Sequence, residues 1–76
     1  MSTYDWEIRF RNAIDPIPGV RRVYDNEDYR SDGELAIVVE ASCSYSDHAD
    51  ESLIRRRFNE VNRDCPYPAR LIIEWE

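Results

Sequence analysis

Glycine, cysteine, histidine and lysine are scarce in this chain, and most of these scarcities remove a class of chemistry. Two glycines, Gly19 and Gly33, cannot build a loop that cradles phosphates, and neither a Walker motif, a dinucleotide fingerprint nor a metalloprotease helix occurs. Cys43 and Cys65 stand far apart without a CxxC, too sparse for a disulfide framework or a four-ligand zinc site, so both are expected to be reduced thiols. Lysine is absent, since all ten basic residues are arginine; GC-rich coding accounts for this simply, and no mechanism follows from it. The N-terminal MSTYDWE has neither a basic n-region nor an apolar h-region, and no apolar run is longer than Leu35 to Val39. The expectation is a soluble, cytoplasmic protein with no membrane partner.

Ten basic residues against sixteen acidic ones give a net charge of −6, so the field of a nucleic-acid backbone would repel the chain and direct nucleic-acid binding is not expected. Seventy-six residues are read as a single α+β domain over 1–76, near the lower limit for folding on one unstapled core.

The stretch that organises the chain is Gly33 to Ser42, whose Leu35-Ala36-Ile37-Val38-Val39 is continuous, largely β-branched and bounded by turn residues, as in a central strand buried on both faces. Residues 4–14 alternate like a half-buried strand, but Trp6, Phe10, Ala13, Ile14 and Ile17 fall in a helical sector of roughly 100°. Asp5 to Arg9 and Glu7 to Arg11 are i,i+4 pairs in the favourable order. The helical reading is preferred, with Ser2 or Thr3 as cap and Ile8 the one residue that fits only a strand. Pro16, Pro18 and Gly19 end this helix. An edge strand from Val20 to about Tyr29 follows, packing through Val20, Val23, Tyr24 and Tyr29, and Ser31-Asp32-Gly33 turns it into the central strand. A second helix is expected from about His48, capped by Asp47, to Asn62 or Arg63, with Ile54, Phe58 and Val61 as its stripe and Arg55 and Arg56 in water. Ala69 to Trp75 reads as a last strand, parallel to the central one through a right-handed crossover. Two helices on one face of a three-stranded mixed sheet would leave Val38 and Ile72 on a bare apolar face, a poor arrangement for a monomer.

The order αββαβ and several local words resemble the cytoplasmic C-terminal domain of cation diffusion facilitator transporters. They are Ile17-Pro18-Gly19-Val20 leading to Val23-Tyr24-Asp25, then Gly33 and Val38-Val39-Glu40, Arg56-Arg57-Phe58 and Leu71-Ile72-Ile73-Glu74-Trp75-Glu76. The resemblance implies a ferredoxin-like fold, dimerisation and metal binding. The family's metal residues are not matched, because Tyr24-Asp25 stands where it has His-Asp, Val39-Glu40 where it has a central-strand histidine, and Glu74 and Glu76 where its last strand offers His and Asp.

His48 beside Asp47, Asp50 and Glu51 has the donor types of a zinc or manganese site, yet an acidic helix start carrying an exposed histidine explains the same residues. A Cys43 or Cys65 nucleophile with His48 lacks a third, orienting group, and Glu74 with Glu76 reads as solvated charge. No catalytic or metal residues and no cofactor are assigned, and an enzyme is the least expected class. The aromatic content is the better clue, since Trp and Tyr are enriched at interfaces. The reading is a small non-enzymatic interaction or oligomerisation module that meets a protein partner or a second copy through Trp6, Tyr24, Tyr29, Val38, Ile72 and Trp75. The alternatives are a metal-responsive regulatory domain, or an acidic, phage-type inhibitor that blocks a nucleic-acid-binding surface with Asp25, Glu27, Asp28, Asp32 and Glu34.

Overall fold

The computed structural model describes residues 2–29 and 33–76. Along them run α1 (Thr3–Ile14), β1 (Val20–Asp25), a 3-10 turn (Glu27–Tyr29), β2 (Leu35–Ala41), α2 (Glu51–Asn62) and β3 (Ala69–Trp75). The ambiguous first segment is a helix. The Ser2 hydroxyl accepts from Asp5 N–H at 3.4 Å while the Asp5 carboxylate accepts from Ser2 N–H at 3.1 Å, a reciprocal capping box that satisfies two donors the helix start cannot. Trp6, Phe10 and Ile14 turn inward. Arg9 does not reach for Asp5 but lies over the Trp6 ring, 4.5 Å from its centroid.

The sheet order is β1-β2-β3, with β1 antiparallel and β3 parallel to the central β2. Leu35, Ile37, Val39 and Ala41 alternate onto one face and join Val23, the inward residues of α1, and Ile54 and Phe58 of α2 in a single core. Both helices therefore cover the same face, and the Phe10 and Phe58 rings stack at 5.1 Å where they meet.

Three expectations are corrected. β1 ends at Asp25 rather than running to Tyr29, because the Asn26 side chain accepts from Asp28 N–H (2.9 Å) and its carbonyl from Tyr29 N–H (3.1 Å), curling the chain into the 3-10 turn. Tyr29 is thus exposed on that turn and is not a strand packing residue. α2 begins at Glu51 and not His48: Asp50 caps it by accepting from Leu53 N–H, whereas Asp47 is engaged by Ser42. Of the expected Ser31-Asp32-Gly33 turn, Ser31 and Asp32 lie outside the described residues, and Gly33 takes the left-handed conformation (φ 75°).

The third correction concerns the sheet face away from the helices. Val38 sits on it between Tyr24 and Ile72 in register, yet neither Val38 nor Ala36 has any accessible surface. Arg70, on the strand beyond β2, donates to the Tyr29 carbonyl, so the 3-10 turn folds across the end of β2 near Ala36. The face is partly closed by the chain itself, and Val38 lies under the surface as its support rather than as a contact residue.

Candidate interaction surface

Three cross-strand rows make up the sheet face turned away from the helices. Arg22, Glu40 and Glu74 form one, Tyr24, Val38 and Ile72 the next, and Ala36 with Arg70 the third. The middle row is aromatic and aliphatic, with Tyr24 and Ile72 half-buried. The flanking rows carry both signs of charge. Arg22 reaches Glu40 at 3.9 Å and lays its guanidinium over the Tyr24 ring at 4.2 Å, and Arg70 meets Glu34 at 3.3 Å. An apolar centre with a charged rim is the layout of a protein contact surface. Burial first, and then the carboxylates of Glu74 and Glu40, hold the Tyr24 phenol above its ordinary pKa.

The other residues singled out from sequence fall elsewhere. Trp6 is core, 5% exposed, and its buried Nε1 has no partner among the described residues. Trp75 lies on the helix side of the sheet, where its ring meets that of His48 at 5.1 Å. His48 precedes α2, with Nδ1 2.8 Å from the Ala49 carbonyl oxygen. Of the acidic group, Asp25 accepts from Ala36 N–H at 3.0 Å and so closes the β1-β2 turn, Glu34 pairs with Arg70, Glu27 and Asp28 are exposed on the 3-10 turn, and Asp32 is outside the described residues. Among the described residues no three His, Cys, Asp or Glu side chains gather as metal ligands, and no helix is long and apolar enough to cross a membrane. Cys43 is exposed and Cys65 half-buried, both unbridged. Two depressions of about 490 and 520 Å³ share Asn12, Ala13 and Glu60 along the seam of the two helices.

The sheet edges also differ. On α1, Glu7 and Arg11 form their expected pair (3.2 Å), but each also reaches the outer edge of β1: Arg11 Nε–H donates to the Val23 carbonyl at 3.2 Å, and Glu7 accepts from Asp25 N–H at 3.0 Å. This second task was not legible in the sequence, where the i,i+4 spacing explained the pair fully. Arg22 and Glu40 were also missed as rim residues. The alternation along β2 would have found Glu40 beside Val38, just as alternation along the last strand puts Arg70 and Glu74 on the face of Ile72.

Below the sheet's other end, Ser42 is a junction: its N–H donates to the Gly19 carbonyl (2.8 Å), its carbonyl accepts from Ala49 N–H (2.9 Å), and its hydroxyl donates to Asp47 (2.8 Å). The Ser42 bond, with help from Arg21, outweighs burial and lowers the Asp47 pKa. A carboxylate lowered on folding adds stability at pH values above its unfolded pKa, and that share is lost as pH falls through the folded value. Chemical denaturation between neutral and acid pH should therefore show a decline that is shallower in Asp47→Asn than in the wild type.

Compared with known protein families, with curated proteins and with solved structures, the chain finds no match in any of the three.

Proposed function

We propose that this chain is a small, non-enzymatic interaction and oligomerisation module of ferredoxin-like αββαβ type, whose working surface is the sheet face turned away from the helices. The observation that carries this reading is the Tyr24-Val38-Ile72 row, a half-buried aromatic and a half-buried aliphatic side chain seated on a fully buried valine and rimmed by Arg22, Glu40, Arg70 and Glu74. Such a row is firm, because Val38 cannot move without disturbing the core strand. Its partner is a protein surface or a second copy of the chain.

The test is association measured by sedimentation and by capture of partners from the source cell, with wild type, Tyr24→Ala and Ile72→Asp compared. Tyr24→Ala should weaken partner binding about thirtyfold, the scale of an interfacial tyrosine anchor. Ile72→Asp should abolish it, while both variants keep the circular dichroism of the folded chain. Unchanged binding by two folded variants would dismiss the face as the working surface.

A further inference from the structure

On the outer edge of β1, Glu7 and Arg11 of α1 occupy the Asp25 N–H and the Val23 carbonyl, but among the described residues β3 has no such cover. At its two ends Leu35 N–H donates to the Pro68 carbonyl (2.8 Å) and Glu76 N–H to the Ala41 carbonyl (2.9 Å), so the even-numbered residues of β3 turn their backbone groups to β2. The N–H and C=O groups of Ala69, Leu71, Ile73 and Trp75 consequently point outward, and among the described residues none of them has a hydrogen-bond partner. β3 contains no proline or lysine and pairs with β2 from Leu35↔Ala69 to Ala41↔Trp75 without a bulge, so the charges of Arg70 and Glu74 are the one edge-blunting device it carries.

We infer that β3 pairs antiparallel with β3 of a second copy, about a two-fold axis normal to the sheet at Ile72, so that two three-stranded sheets become one. This rests on the reading of the chain as an association module, and it names the partner. The side chains set the register. With the axis at Ile72, that residue faces Ile72 of the partner subunit, Arg70 faces Glu74 of the partner subunit, and Leu71 faces Ile73 of the partner subunit. The outward-turned residues then become the hydrogen-bonded pairs of the ladder and every open group is satisfied. Moving the axis to Ile73 sets Ile72 against a glutamate, and moving it to Leu71 sets Ile72 against an arginine. The Ile72 axis alone of these matches apolar with apolar and acid with base. Glu74 makes no ion pair among the described residues, and of the five donors of Arg70 one serves Glu34 and one the Tyr29 carbonyl, which leaves others for a second carboxylate.

The experiment places single cysteines in a Cys43→Ser, Cys65→Ser background. In the inferred register Ile72→Cys brings two Cα atoms to about 4.5 Å, a non-hydrogen-bonded pair that a disulfide spans, whereas Glu74→Cys leaves its copies about 14 Å apart. Mild oxidation should cross-link the first variant and not the second. Separately, Arg70→Glu and Glu74→Arg should each weaken self-association about tenfold, because symmetry sets two like-charged pairs in register. An equimolar mixture should recover wild-type strength by forming the mixed dimer, a result that loss of monomer stability cannot produce. A wild type that sediments as a monomer at high concentration, equal cross-linking of both cysteine variants, or a mixture no stronger than its components would each overturn the inference. If these fail while Tyr24→Ala still weakens partner binding, the edge pairing falls and the sheet-face reading stands.

Discussion

Gly19→Ala is expected to cost about 3 kcal/mol or more, against about 1 kcal/mol for Gly33→Ala. Both glycines hold positive φ, 87° and 75°, so both substitutions meet the steric penalty of the left-handed region, about 1 to 2 kcal/mol. The space around them differs. A methyl group at Gly33 meets nothing within 4 Å, whereas at Gly19 it would lie 2.8 Å from the Ala49 nitrogen and closer still to the Asp47 carbonyl oxygen. Those are backbone atoms of the segment that Ser42 ties to Gly19, so they cannot swing aside as a flexible side chain would, and overpacking adds about 1 to 3 kcal/mol. At about 0.05 to 0.15 kcal/mol per residue, a chain of 76 residues has little margin for such a loss. Urea denaturation of the two variants side by side checks this, and equal midpoints would show that the crowding at Gly19 relaxes without cost.

Phe10→Ala should be destabilising by about 3 to 5 kcal/mol, the range for removing a buried phenylalanine. Phe10 is wholly buried and its ring stacks on Phe58 at 5.1 Å with 24° between planes, so truncation leaves a cavity and also strips the partner ring of its contact. Phe58→Ala should cost less, since Phe58 retains 6% exposure. In a double-mutant cycle read by denaturation the two losses should fall short of additive by about 0.5 to 1.5 kcal/mol, the worth of an aromatic pair beyond its buried area. Strict additivity would show that the rings contribute only as separate apolar volumes.

Features resting on residues close in sequence were legible without the structure. The helical stripe of Trp6, Phe10 and Ile14, the turn at Gly19, the buried run Leu35 to Val39 and the stripe of Ile54 and Phe58 follow from period and composition alone. Choices made by distant partners were not. Asp47 and Asp50 are equally good caps on local grounds, and what separates them is the Ser42 hydroxyl, which binds the first and leaves the second for Leu53 N–H. Val20 and Val23 were read correctly as packing residues, whereas Tyr24 lies on the opposite face of the sheet, and the strand's early end depended on Asn26 bonding its own downstream backbone. The candidate surface was legible in part: Tyr24 and Ile72 do share a face with Val38. The full burial of Val38 was not, because it depends on the neighbours that Tyr24 and Ile72 provide across the sheet. The two tryptophans are equally attractive as interface residues by composition, and only packing sends Trp6 inside.

The clamp of Glu7 and Arg11 on β1 bears on how far any edge-to-edge joining can proceed. A sheet with two receptive edges is a bifunctional building block, and head-to-tail addition of such blocks propagates without limit into fibres. With β3 as the one receptive edge, as in the inferred pairing, a single joining event would consume it and leave at both flanks of the product a β1 strand held by Glu7 and Arg11. Growth would then stop at the pair, with the two side chains of α1 acting as a chain terminator that sets the valence of the sheet at one.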